Sequence, residues 1–86
     1  MNPKLKATWV AALRSGDYRQ GFDANYARIN GSSRFCVMGV LNDILGRPAD
    51  ERDLPNGAVF RFVNLNDIER LSFVDLADVI ESADWI

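Results

Sequence analysis

The first sixteen residues carry the start and stop signals of one amphipathic helix, and no other part of the chain limits the fold as strongly. Asn2 can cap a helix that begins at Pro3. Proline has no backbone N–H, but an N–H in the first helical turn would have no partner within the helix. Gly16 follows, where a left-handed residue commonly ends a helix. We therefore predict a helix over residues 3–15, with a buried stripe formed by Leu5, Trp9, Ala12 and Leu13.

Size and composition predict one small globular domain over residues 1–86. Cys36 is the single cysteine and histidine is absent, so the chain has no internal disulfide and none of the usual zinc ligand sets. We therefore expect no metal and no cofactor, and we expect Cys36 to pack in the core. Without histidine the commonest general base is missing, and we predict that the protein is not an enzyme.

Apolar residues never run long enough to cross a membrane, which takes roughly 18 residues or more. The first residues include Lys4 and Lys6 but no apolar signal core. These features predict a protein without membrane contact, located in the cytoplasm of the cell that makes it.

Charge is divided unevenly along the chain. The first 49 residues carry seven basic and three acidic side chains, whereas residues 50–86 carry three basic and nine acidic ones. The whole chain has a net charge of −2 and a pI near 4.9. An acidic protein is repelled by phosphate backbones, so we expect no direct binding to nucleic acid.

The middle of the chain predicts one strand, one helix and a loop. Alternation at Phe22, Ala24 and Tyr26 favours a strand over residues 22–29, followed by a turn at Asn30-Gly31. We predict a helix from Ser33 to Gly46, with a strand over residues 34–38 as the open alternative. Residues 47–57 are polar and contain two prolines, so we predict a loop there.

The last third predicts a strand and a helix. Phe60 and Phe62 alternate with polar or β-branched neighbours, which favours a strand over residues 58–63. Residues 65–69 resemble a single helical turn, and Ser72 caps a predicted helix over residues 73–83. The predicted fold class is α+β, with three helices and a short two- or three-stranded sheet or hairpin.

A polar block at the end of the first helix is the first candidate site. Arginine forks can bind phosphate oxygens, and an aromatic ring can stack on a base. The block therefore predicts a site for a small anionic, nucleotide-like ligand, unless its polar groups only satisfy the local backbone. Its candidate ligand-binding residues are Trp9, Arg14, Ser15, Tyr18, Arg19 and Gln20.

The last helix and the residues after it form a second candidate site. One side of this helix is acidic, and an acidic helix face can bind a basic protein partner, although a solvated helix face has the same composition. An aromatic and an aliphatic residue follow the helix and could contact a partner or a second copy of the chain. The predicted protein-interface residues are Asp75, Asp78, Glu81, Trp85 and Ile86.

Three sequence blocks resemble a family of short, largely uncharacterised proteins encoded by bacteriophages and prophages. The first contains Trp9, Ala12-Leu13-Arg14-Ser15-Gly16, Tyr18 and Gln20-Gly21. The second contains Phe35-Cys36, Gly39-Val40-Leu41 and Asp43. The third contains Leu65-Asn66-Asp67, Ser72-Phe73, Ala77-Asp78 and Ile80-Glu81. This chain departs from the family pattern at Phe22-Asp23, where a basic residue and a glycine are usual, and at Val37 and Asn42, where cysteines are common.

The resemblance implies an accessory role without a defined activity. Small phage proteins of this kind often counter host defences, which leads to two main hypotheses. In the first, the protein sequesters a nucleotide-like signal at the end of the first helix. In the second, it inhibits a defence protein such as a CRISPR effector through the acidic last helix. A homo-oligomer acting by self-assembly is the third.

Overall fold

The computed structural model describes residues 1–86 and contains four helices and one antiparallel hairpin. None of its helices has the length and apolar character needed to cross a membrane. The helices and the hairpin confirm the predicted α+β class, but the number of helices is four instead of the predicted three. In chain order the elements are α1 (Pro3–Ser15), β1 (Tyr26–Ile29), β2 (Ser32–Phe35), α2 (Val37–Leu45), α3 (Ala58–Asp67) and α4 (Phe73–Ser82).

The first helix forms as its end signals predict. The Asn2 side chain accepts hydrogen bonds from the amides of Lys4 and Leu5, at 2.8 and 3.1 Å. Gly16 ends α1 in the left-handed conformation, with φ of 80°. Local capping alone therefore sets both ends of this helix.

The hairpin replaces part of the predicted central helix. Asn30 and Gly31 both have positive φ, which matches the right-handed twist of the strands they connect. The strand predicted over residues 22–29 exists only from Tyr26 onward. The prediction of a helix from Ser33 was wrong over residues 33–35, which pair with β1 as strand β2. Of the alternative strand over residues 34–38, only its first two residues are correct.

The second helix begins two residues after the hairpin ends. Cys36 is its N-cap, and the Cys36 sulfur accepts a hydrogen bond from the amide of Gly39 at 3.4 Å. Gly46 ends the helix in the left-handed conformation, as predicted. The buried cysteine thus has a structural role at a helix start.

The strand predicted over residues 58–63 was wrong, because these residues begin helix α3. Ala58, Phe62 and Asn66 are fully buried at intervals of four residues, which is the repeat of a helix face. Phe60 lies on the opposite side and is 72% exposed. Of the helical turn predicted at residues 65–69, residues 65–67 are the end of this same helix, and α3 is the helix that the prediction lacked.

The core lies between α1, α2, α3 and α4. Trp9 is fully buried, and its ring meets Phe62 edge-on at a centroid distance of 5.6 Å. Leu41, Leu76 and Ile80 are among the other fully buried side chains at its centre. Helix α4 packs mainly along α1, and its start is capped by Ser72 as predicted.

Candidate functional site

Trp9 is a core residue and does not offer a ring for stacking. Its side chain is fully buried, and its indole N–H donates to the carbonyl of Val37 at 3.0 Å. Both the apolar surface and the polar atom of the ring are therefore used inside the protein.

Arg14 joins the first candidate site to the second. Its guanidinium donates to a carboxylate oxygen of Asp78 at 2.8 Å and to both oxygens of Glu81 at 2.9 and 3.0 Å. These hydrogen bonds from Arg14 hold the pKa of Glu81 below its usual range. Two of the three predicted interface carboxylates are thus paired within the chain, where they share the one positive charge of Arg14.

Ser15 and Tyr18 make local and tertiary hydrogen bonds. The Ser15 hydroxyl donates to the carbonyl of Ala12 at 2.7 Å and accepts from the amide of Asp17 at 3.1 Å. The Tyr18 hydroxyl donates to Asp43 at 2.5 Å. This hydrogen bond, with partial burial and the negative charge of Asp43, raises the pKa of Tyr18 to about 12.

Gln20 belongs to a buried polar cluster centred on Asn66. The Gln20 amide donates to the Asn66 carbonyl oxygen at 3.0 Å and to the carbonyl of Leu71 at 2.7 Å. The same Asn66 oxygen accepts from the amide of Val37 at 3.2 Å, and the Asn66 nitrogen donates to the carbonyl of Gly21 at 3.0 Å. The cluster holds the segment before the hairpin against α2 and α3.

The structure does not gather the six residues of the first candidate site around one cavity. Only Arg14 lines a cleft, and the cleft lies along α1 beside Glu81. Arg19 is exposed, and its side chain makes no hydrogen bond or ion pair. The other residues of the block are bonded inside the molecule.

The bond between Tyr18 and Asp43 leads to a measurable titration. In a Tyr26→Phe background, we expect Tyr18 to ionise near pH 12, and the added substitution Asp43→Asn should return its pKa toward the ordinary value of about 10. Because folding raises this pKa, the stabilisation is complete below pH 10 and disappears as the pH rises through 12. Tyrosinate absorbance measures both changes, and equal midpoints in the two proteins would show that the bond does not form.

An exposed apolar surface lies on α3, away from the polar block. We define the α3 surface as Val59, Phe60 and Trp85, with the clefts on either side of Phe60. Phe60 is the most exposed aromatic side chain at 72%, while Trp85 is 45% and Val59 40% exposed. One cleft has a volume of about 780 Å³ and is shared by Phe60 and Trp85. The other, of about 550 Å³, is lined by Val59 and Phe60.

Trp85 is held in place by the core. Its ring stacks on Phe62 at a centroid distance of 5.7 Å and an interplanar angle of 22°. The guanidinium of Arg61 lies 5.6 Å from the centroid of the same ring, within reach of a cation–π interaction. Ile86 packs against the core and is half-buried. Of the five predicted interface residues, Trp85 thus belongs to the α3 surface.

Sequence reasoning missed Phe60 because the strand prediction placed Phe60 and Phe62 on one face. In the helix these two rings lie about 200° apart around the axis. The four-residue spacing of Ala58, Phe62 and Asn66 is typical of a helix face. Because Asn66 is polar, the sequence alone does not indicate that it is buried.

Comparison with known proteins places the chain in a family without an assigned function. The model of a domain of unknown function, DUF8296, matches residues 1–54, and the chain belongs to this family. No curated protein and no solved structure matches the chain. The matched segment contains α1, the hairpin and α2, whereas the α3 surface lies almost entirely beyond it.

Proposed function

We propose that the protein is a non-enzymatic, phage-type accessory protein that inhibits a host defence protein by binding it through the α3 surface. The observation that carries this proposal is Phe60, a large aromatic side chain that is 72% exposed in the first turn of helix α3. Interface anchors are commonly aromatic side chains that enter a partner's pocket, with apolar neighbours that exclude water. Val59 and Trp85 are such neighbours on either side of Phe60.

The fixed position of Trp85 supports a binding role for the α3 surface. Trp85 stacks on the fully buried Phe62, and the guanidinium of Arg61 lies over the same ring. A side chain that is already positioned loses less conformational entropy on binding. Trp85 is therefore already positioned beside the exposed Phe60 before any partner binds.

Sequestration of a small anionic ligand by the first polar block is the competing proposal, and fewer side chains are available for it. Arg14, Tyr18 and Gln20 are bonded to other side chains, and Trp9 is buried. Arg19 alone retains a free charged group. This leaves one cation for a phosphate, whereas the protein-binding proposal has a contiguous surface.

Plaque formation on bacteria that carry a defence system tests the proposal. Cells expressing the wild-type protein should allow phage growth, and Phe60→Ser should abolish this effect while changing the free energy of unfolding by no more than about 0.5 kcal/mol, as for other exposed positions. Ile29→Ser is the matched control, because Ile29 is 52% exposed on the hairpin and lines neither cleft. Equal activity of the two variants would contradict the proposal.

A further inference from the structure

Unpaired acidic side chains surround the α3 surface. Glu69 lines the larger cleft and Glu51 lines the smaller one. Asp84 precedes Trp85 in the chain and is exposed. None of these three carboxylates makes an ion pair within the chain.

Lys6 lies near Asp84, because its ammonium donates to the carbonyl of Ala83 at 2.7 Å, whereas most basic groups near Glu51 and Glu69 are engaged elsewhere. Arg70, which follows Glu69, lies over the ring of Phe22 at 4.4 Å. Arg52 is bound to Asp50 at 2.7 Å, and Arg47 is bound to Asp53 at 2.8 Å. Arg61 is the one basic group that lines the larger cleft, where it lies over Trp85. The two clefts of the α3 surface are therefore bordered by two unpaired carboxylates, Glu51 and Glu69, and by one basic group, Arg61.

We propose that the partner site recognised by the α3 surface is an apolar pocket or helix face bordered by lysine or arginine side chains. This inference rests on the proposed function, and it specifies the chemistry of the partner. Complementary charges at the rim of an interface increase the association rate and exclude partners of the wrong charge. The apolar centre supplies the contact area, and the acidic border selects a basic partner.

A second copy of the chain fits this surface less well than a basic partner does. A symmetric dimer through Phe60 would bring two copies of Glu51 and Glu69 to one interface, against two copies of Arg61. Like charges at a rim are unfavourable unless they are paired. The charge balance therefore favours a basic protein over self-association.

Synthetic amphipathic helical peptides can stand in for the host partner and test the inference. Three peptides share a leucine face and differ at their polar positions, which are lysine, glutamine or glutamate. Binding is measured from chemical-shift changes of the ¹⁵N-labelled protein. We expect the lysine peptide to bind most tightly, to shift resonances of Phe60 and Trp85, and to lose binding in Phe60→Ser.

Two double variants with the same change in net charge provide the control. Glu51→Lys with Glu69→Lys should weaken binding of the lysine peptide by about tenfold or more, through reversal of two charges at the rim. Asp17→Lys with Asp75→Lys changes acids outside both clefts and should alter the Kd by less than about twofold.

The other possible results separate the basic partner from the docking surface itself. Binding that depends on Phe60 but not on peptide charge would overturn the basic partner and leave the α3 surface as a docking site. Concentration-dependent dimerisation that Phe60→Ser abolishes would assign the surface to a second copy. If no peptide responds to Phe60→Ser, both the inference and the proposed surface fail.

Discussion

Replacing Asn66 with leucine is expected to lower the free energy of unfolding by about 3–5 kcal/mol. Each buried polar group that is left without a hydrogen-bond partner contributes roughly 1–3 kcal/mol to this loss. Asn66 is fully buried, and its amide bonds the side chain of Gln20, the amide of Val37 and the carbonyl of Gly21. Leucine has a similar volume but makes none of these hydrogen bonds. Gln20 keeps its bond to Leu71, so the main cost falls on the two backbone groups.

The control for this prediction is one half-turn earlier in the same helix. The side chain of Asn64 makes no hydrogen bond and lines the larger cleft. We expect Asn64→Leu to change the free energy of unfolding by no more than about 0.5 kcal/mol. Urea denaturation followed by circular dichroism compares the two variants. Equal midpoints would mean that the buried cluster does not hold the segments together.

Substitution of Gly39 by alanine is the second change with a large expected effect. An added Cβ atom at this position would lie 1.7 Å from the carbonyl oxygen of Asn25. The same carbonyl accepts a hydrogen bond from the amide of Cys36 at 3.2 Å. The segment before β1 must therefore move away from α2, and we expect a loss of more than about 3 kcal/mol, at the upper end for overpacking.

Gly16→Ala distinguishes the steric clash at Gly39 from a general effect of removing glycine. Gly16 has φ of 80°, and no atom lies within 4 Å of its added Cβ. Only backbone strain opposes this substitution, so we expect a loss of about 1–2 kcal/mol. A thermal denaturation series ranks the two variants. A milder effect at Gly39 than at Gly16 would contradict the close approach of α2 and Asn25.

Local signals in the sequence predicted the elements whose ends they determine. The bonds of Asn2 to the first helical amides, the left-handed Gly16 and Gly46, and the Ser72 cap all depend on residues within four positions of the helix end. The turn at Asn30-Gly31 is equally local. Such features can be predicted from the sequence because the residue that caps a helix or forms a turn lies next to the structure it determines.

Contacts between residues far apart in sequence determine the features that local sequence patterns did not predict. Residues 58–63 alternate like a strand, and they form a helix because Ala58, Phe62 and the polar Asn66 are buried together. The polar block past α1 looked like a ligand site because its partners are far away in sequence. Arg14 binds Asp78 and Glu81, Tyr18 binds Asp43, and Gln20 binds Asn66. The three resemblance blocks are therefore joined to one another by hydrogen bonds.

Site-specific photo-crosslinking tests most directly whether binding occurs at the α3 surface and not at the polar block. A photoreactive phenylalanine analogue replaces Phe60 in one protein and Arg19 in another, because Arg19 is the residue of the block with an unbonded, exposed side chain. Both proteins are expressed in bacteria carrying a defence system against which the wild-type protein restores plaque formation in the assay proposed above. We predict a crosslink to one defence protein from position 60 and none from position 19. A crosslink from position 19 alone, or from neither position, would contradict the account.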